Sequence, residues 1–244
     1  MRGHRRRGRG PRFDSSANRR AYGEIHLLEL KPAARGRRVR VLCLGAHSDD
    51  IEIGCGATIL QLARARPRAE FRWVVWSATG VRATEAKQGA RKFLGSAAAD
   101  AVALHGFRDG YFPAEFANLK DSFETLAREF TPDVIFTHGR DDRHQDHRIV
   151  SDLTWNTFRD HLILEYEIPK WDGDHGQPNS YVPVSRSEAL RKARALMDVF
   201  GTQRNKDWFS EETFLGLMRL RGMECRAPEG YAEAFNMRKA ILDF

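Results

Sequence analysis

Cysteine is scarce. Only Cys43, Cys55 and Cys225 occur among 244 residues, too few and too scattered for a disulfide scaffold or a thiolate zinc finger. The reading is a reducing, cytoplasmic compartment. Long apolar runs are also missing. None reaches the roughly 18 residues of a membrane-spanning helix, which excludes such helices from a chain that is 41% hydrophobic and 30% charged. The opening stretch lacks the apolar segment of a secretory signal. No internal repeat and no second domain boundary stand out. What remains is a chain long enough for one large domain with a sizeable core.

Charge is unevenly placed. The net charge is +7, but residues 1–40 carry 13 Lys and Arg against 3 Asp and Glu, a net of +10. The other 204 residues carry 27 against 30, a net of −3. The basic character belongs to the N-terminal segment and not to the folded body. MRGHRRRGRGPRFDSSANRR has too little apolar surface to offset the entropy of ordering, so residues 1–21 are expected to be a disordered basic tail before a single domain over 22–244. The tail can be read as an arm for nucleic acid or an anionic surface. A short Arg run without interleaved aromatics is the weak form of that signal, and a dispensable leader is the plainer reading.

From Arg40 the pattern becomes regular. Strand-like apolar runs fall at 41–44, 73–76, 101–104, 134–136 and 162–166, with helix-like stretches at 56–66, 83–95, 117–130 and 145–160 between them. Glu24–Leu30 can add an edge strand. Short apolar runs alternating with helices indicate βαβ units and a mainly parallel sheet. After Tyr166 an irregular excursion rich in Gly, Pro, Asp and Asn leads to a short strand at 181–184 and two helices at 187–202 and 210–220.

Two polar clusters follow predicted strand ends, where open α/β sheets hold their ligands. The first is His47-Ser48-Asp49-Asp50. His47 and Asp50, three apart across a turn, can close on one metal ion through imidazole nitrogen and carboxylate oxygen. Asp49, between them, is then free to meet an activated water. The competing reading has one or both aspartates capping the next helix. Gly54-Cys55-Gly56 is not GxGxxG, since position 59 is Ile, so a dinucleotide loop is not expected.

The second cluster is GRDDRHQDHR, after the strand ending at His138. On a nascent helix His144 and His147 share a face, so one can bind the ion while the other faces substrate. Asp142 and Asp146 can orient these rings by accepting their N–H groups. A polar turn capped by Asp141 or Asp142 is the alternative. His138, closer to the strand, reads as core-lining. His4, His26, His105, His161 and His175 show no partner pattern, and of these only His175 lies in a loop able to reach the site.

These residues carry a resemblance. AHSDDIEIGCGAT resembles the AHPDDE-type motif of the PIG-L/LmbE-like family of zinc-dependent N-acetylglucosaminyl deacetylases, and DRHQDHR resembles its D-x-H-x-D-H motif. GVRATEAKQGARKFLG is similar to the family's R-x-x-E helix, HGFRDGYFP to its Asp-Gly segment and YAEAF to its C-terminal signature, so that the likeness spans about residues 38–236. It implies an α/β, Rossmann-like three-layer sandwich with a mainly parallel sheet and the metal site at the carboxyl ends of the strands. It further implies Zn2+ held by His47, Asp50 and His147, Asp49 as general base, and His144 as a cationic or proton-donating partner tuned by Asp146. Arg82 and Asp109 would contact substrate.

The implied partner is a small N-acetylated amino sugar or conjugate. Its acetyl group would be removed by metal-activated water, with His144 or Asp49 returning a proton to the amine. The loop Trp171–Tyr181 is a candidate wall of the pocket. There are departures. Ser48 and Gln145 stand at positions that supply no ligand. Ile51 stands where many members have Glu, with Glu52 one residue later. Asp142 stands where some members place a Tyr that assists the oxyanion. The rival readings are hydrolysis of a non-sugar N-acyl substrate and binding through the Arg-rich tail.

Overall fold

A computed structural model describes residues 38–98 and 100–241. The basic tail and the expected strand Glu24–Leu30 lie outside these residues. The strands are β1 (Arg40–Gly45), β2 (Glu70–Val75), β3 (Val102–Leu104), β4 (Val134–His138), β5 (Leu162–Tyr166), β6 (Ser180–Val184) and β7 (Tyr231–Asn236). They form one sheet in the order β3-β2-β1-β4-β5-β7-β6. The first five are parallel, and β7 and β6 close one edge antiparallel. The helices are α1 (Asp50–Ala65), α2 (Gly80–Leu94), α3 (Phe116–Glu129), α4 (Gln145–Thr157), α5 (Arg186–Val199) and α6 (Glu211–Glu224).

The burial pattern explains the three layers. Val41, Leu42, Cys43 and Leu44 in β1 are all fully buried, as expected of a parallel strand covered on both faces. Val41 and Cys43 join the core beneath α1, α2 and α5, whereas Leu42 and Leu44 join the core beneath α3 and α4. Successive strand residues point to opposite faces, so one apolar run feeds both layers. The strand order reverses between β1 and β4. The connection leaving β1 enters α1 on one face, and the connection leaving β4 enters α4 on the other. Such a switch point leaves a crevice at the carboxyl ends of the two strands, and both polar clusters sit there.

The expected α/β sandwich with a mainly parallel sheet is the one observed, with two local differences. The helix expected from residue 56 begins at Asp50 and runs through Gly54 and Gly56, with a kink where Cys55 leaves helical geometry (φ −141°, ψ 17°). YAEAF forms the buried strand β7, which sequence reading did not assign. Glu233 interrupts its apolar pattern, and only the tertiary fold supplies that acid with partners. Among the described residues no helix is long and apolar enough to cross a membrane.

Candidate metal centre

His47 leaves β1 on the turn into α1, and its backbone N–H donates to Asp50 Oδ2 at 2.6 Å. This bond folds the turn so that imidazole and carboxylate face the same space. His147 reaches that space from the first turn of α4. Three contacts define the convergence. His47 Nδ1 is 3.2 Å from His147 Nε2 and 3.4 Å from Asp50 Oδ2, and His147 Nε2 is 3.5 Å from Asp50 Oδ1. Ligands about 2.1 Å from a tetrahedral ion stand about 3.4 Å apart. The three side chains therefore have the spacing and chemistry of a shared divalent ion.

Each imidazole is oriented from behind by a carboxylate, as metal-binding histidines usually are. His147 Nδ1 contacts Asp142 Oδ2 at 2.9 Å. His47 Nε2 contacts Asp146 Oδ2 at 3.2 Å and Asp109 Oδ1 at 3.1 Å. Asp146 is itself fixed by the N–H groups of Gly110 (2.6 Å) and Phe112 (3.1 Å). Gly110 has φ +80°, a conformation that favours glycine, and this turn aims its N–H at the carboxylate.

The field suits a cation. Burial opposes protonation of His47, but Asp50, Asp109 and Asp146 outweigh it and hold its pKa well above the usual imidazole value. Burial also opposes ionisation of Asp50, yet His147, His138 and His47 hold it well below the carboxylate range. Asp142 is likewise lowered by His147 against the cost of burial.

Two expectations shift. The Asp146 carboxylate contacts His47, and it reaches His144 through its charge alone, while the Asp146 backbone N–H meets His144 Nδ1 at 3.3 Å. As the residue preceding α4, His144 turns its ring back onto its own helix start, which leaves the carboxylate free for His47. Nor is His144 set up as a resting cation. Burial, then His147 and His47, lower its pKa. Its ring stacks on His147 with centroids 4.5 Å apart and lies edge-on to His47.

Asp49 precedes α1 but caps nothing with its side chain. Its Oδ1 accepts from Arg82 Nη2 at 2.6 Å, and Arg82 Nη1 reaches Glu85 Oε2 and Thr202 Oγ1. Arg82, expected at the substrate, thus grips the expected base. Asp109 keeps a largely exposed carboxylate beside His47, its side chain 74% accessible.

His138, expected in the core, is fully buried yet lies at the edge of the cluster. It stacks on His147 with centroids 3.9 Å apart, and its Nε2 is 3.1 Å from Asp50. The Ala46 N–H donates to the same nitrogen at 3.0 Å. With Asp50 and His147, His138 forms one of the groups of side chains spaced to hold an ion. His175 contacts Glu167 and does not enter the cluster. The Trp171–Tyr181 stretch docks nearby: Asp174 accepts from Arg143 N–H at 2.6 Å, and Lys170, just before it, is 3.1 Å from Asp142. Beyond Asp142 lies a cleft of about 260 Å³ lined in part by Lys170, Asp174, His175 and Gln177.

Glu85, the acid of the R-x-x-E motif, anchors Arg82 together with Thr202, which sequence reasoning missed along with the pair Lys192 and Glu233 beneath α1. The last two carried a signal: each places a charge where the local pattern calls for an apolar residue.

A family profile described as PIG-L, GlcNAc-PI de-N-acetylase, matches residues 42–158. The uncharacterized deacetylase YaiS of Escherichia coli (strain K12) is 30% identical over 151 residues, spanning 56% of this chain and 78% of that protein. Among solved structures, the N,N′-diacetylchitobiose deacetylase of Pyrococcus horikoshii superposes with a TM-score of 0.60 at 21% identity, covering 81% of this chain and 83% of that one. GalB, the 4-carboxy-2-hydroxymuconate hydratase of Pseudomonas putida KT2440, superposes with a TM-score of 0.61 at 15% identity over 84% and 98%. These two likenesses are of fold, and a fold hosts more than one chemistry. It is the sequence kinship with a deacetylase over most of that protein's length that makes this chain a member of the PIG-L/LmbE family of deacetylases.

Proposed function

We propose that the chain removes the N-acetyl group from an amino sugar or its conjugate by hydrolysis, with Zn2+ held by His47, Asp50 and His147. The observation carrying this reading is the 3.2–3.5 Å spacing of those three side chains, with Asp49 at the neighbouring position and pinned by Arg82. A bound zinc ion supplies Lewis acidity, acidifying water and polarising an acyl carbonyl.

The residues supply the rest. Asp49 accepts the proton of the attacking water, with Arg82 fixing the direction of its carboxylate. Because Asp146 N–H occupies Nδ1 of His144, the neutral ring carries its proton on Nε2. That N–H can donate a hydrogen bond to the developing oxyanion. Asp49 then returns its proton to the departing amine. Asp109, exposed beside His47, is placed to accept a sugar hydroxyl. Tyr111, two residues on, carries the Arg108 guanidinium on one face of its ring and remains partly exposed. Kinship with a deacetylase and the fold of a sugar deacetylase support this substrate class. All three cysteines are free thiols, which suits a reducing cytoplasm.

The test is acetate release from N,N′-diacetylchitobiose, N-acetylglucosamine and N-acetyl amino acids, with Zn2+ and with chelator. Zn2+-dependent release from the sugars is expected. Release from the amino acids alone would favour the non-sugar amidohydrolase, and no release from any member would remove the deacetylase reading.

A further inference from the structure

Lys192 lies on the apolar stripe of α5 with Ala189, Ala193 and Leu196, and Glu233 lies inside YAEAF; each is 3% exposed. Lys192 Nζ is 2.6 Å from Glu233 Oε1. Both also bind the break in α1. Where Cys55 leaves helical geometry, neighbouring backbone groups need other partners. Glu233 Oε1 accepts from Ala57 N–H at 2.9 Å, and Oε2 accepts from Thr58 N–H at 2.6 Å. Lys192 donates to the Ile53 carbonyl at 2.5 Å. The anion meets the start of the second helical segment and the cation the end of the first, the signs that helix dipoles favour.

Close packing calls for glycine on both sides of the break. A Cβ on Gly54 would stand 2.2 Å from the Tyr166 ring, and one on Gly56 2.5 Å from Phe93. N-terminal to the break stands the single turn that presents Asp50, with Asp49 just before it. A buried ion pair is a poor source of net stability, since an apolar pair of similar volume often serves as well. Its distinctive contribution here is geometric.

We propose that Lys192 and Glu233 are positioning residues of the metal centre. By clamping the break in α1, they set the angle of its first turn and so the placement of Asp50 and Asp49. The proposal rests on the ligand role given to Asp50 above.

The experiment measures Zn2+ affinity by chelator competition and the visible spectrum of the Co2+-loaded protein. The variants are Glu233→Gln, Lys192→Met, the charge-free double variant Lys192→Met/Glu233→Gln and Asp50→Ala, each at a temperature where circular dichroism shows full folding. Both single variants and the double variant are expected to bind Zn2+ about 10- to 100-fold more weakly, as for other groups that orient ligands, with an altered Co2+ spectrum. Asp50→Ala is expected to abolish stoichiometric binding. If Asp50→Ala keeps full affinity, the ligand assignment fails, and the proposal with it. If Asp50→Ala loses the metal while the double variant keeps wild-type affinity and spectrum, the pair serves stability alone and the proposal is overturned. The double variant leaves no lone buried charge, so it decides the matter even where a single variant misfolds.

Discussion

At the scale of single residues, Asp49 and Asp50 are chemically identical neighbours with different partners. Asp50 faces three imidazoles, those of His47, His138 and His147, and Asp49 faces a guanidinium. Asp49→Ala is therefore expected to keep its metal and to lose about 10²-fold or more in kcat, the scale of a removed general base. Asp50→Ala is expected to lose the metal. Elemental analysis beside the rate assay separates the two outcomes, and equal metal loss would contradict the division of roles. The histidines divide in the same way. His147→Ala is expected to empty the site, whereas His144→Ala stays loaded and loses about 10²–10³ in kcat, as for an oxyanion donor. Arg82→Met frees the Asp49 carboxylate, and a fall of about 10- to 100-fold in kcat with intact metal content is expected. An increase in KM alone would return Arg82 to a direct substrate contact.

At the scale of elements, the turn that carries Asp49 and Asp50 is only as well placed as α1. Gly54 and Gly56 are required by close approach: with a side chain, α1 would have to move off Tyr166 and Phe93. Tyr166 is anchored in turn, its hydroxyl donating to the Leu44 carbonyl at 2.6 Å. Gly54→Ala is expected to lower stability by about 1–3 kcal/mol, the usual cost of overpacking, and to weaken Zn2+ binding. Denaturant unfolding measures the first and chelator competition the second. An unchanged midpoint would mean that the ring can give way. The break itself was illegible in sequence. The sequence pattern starts the helix at residue 56, and the groups that sustain the break come from α5 and β7, far along the chain.

At the scale of the molecule, a shared ion would tie together two turns on opposite sides of the sheet's switch point, one from β1–α1 and one from β4–α4. A ligand that binds only the folded state stabilises it by mass action. Free Zn2+ at a thousandfold over its Kd is worth about 4 kcal/mol, or a rise of about 8–16 °C in Tm for a domain of this size. Differential scanning calorimetry with Zn2+ and with chelator reads this directly, and His147→Ala is expected to abolish the rise. Beyond the tail, residues 22–244 carry 32 Lys and Arg against 32 Asp and Glu, no net charge. Deletion of residues 1–21 is therefore expected to leave acetate release unchanged while removing any salt-sensitive nucleic-acid binding. Loss of the hydrolytic rate on that deletion would give the tail a part in catalysis.

What the sequence by itself determined is local. Apolar runs at strand period and polar residues just past their ends specified a parallel sheet and the rim where chemistry gathers. The pairs His47/Asp50 and His144/His147 were readable because a turn or one helical face brings residues three apart together. What only the tertiary structure decided is which distant groups serve them: the Asp146 carboxylate turned to His47, Arg82 closed on Asp49, and Lys192 with Glu233 holding the break in α1. Each of these contacts spans a separation set by how helices pack on the sheet or by where a backbone amide happens to point. No periodicity along the chain encodes such distances, so the supporting shell becomes visible only once the layers are assembled.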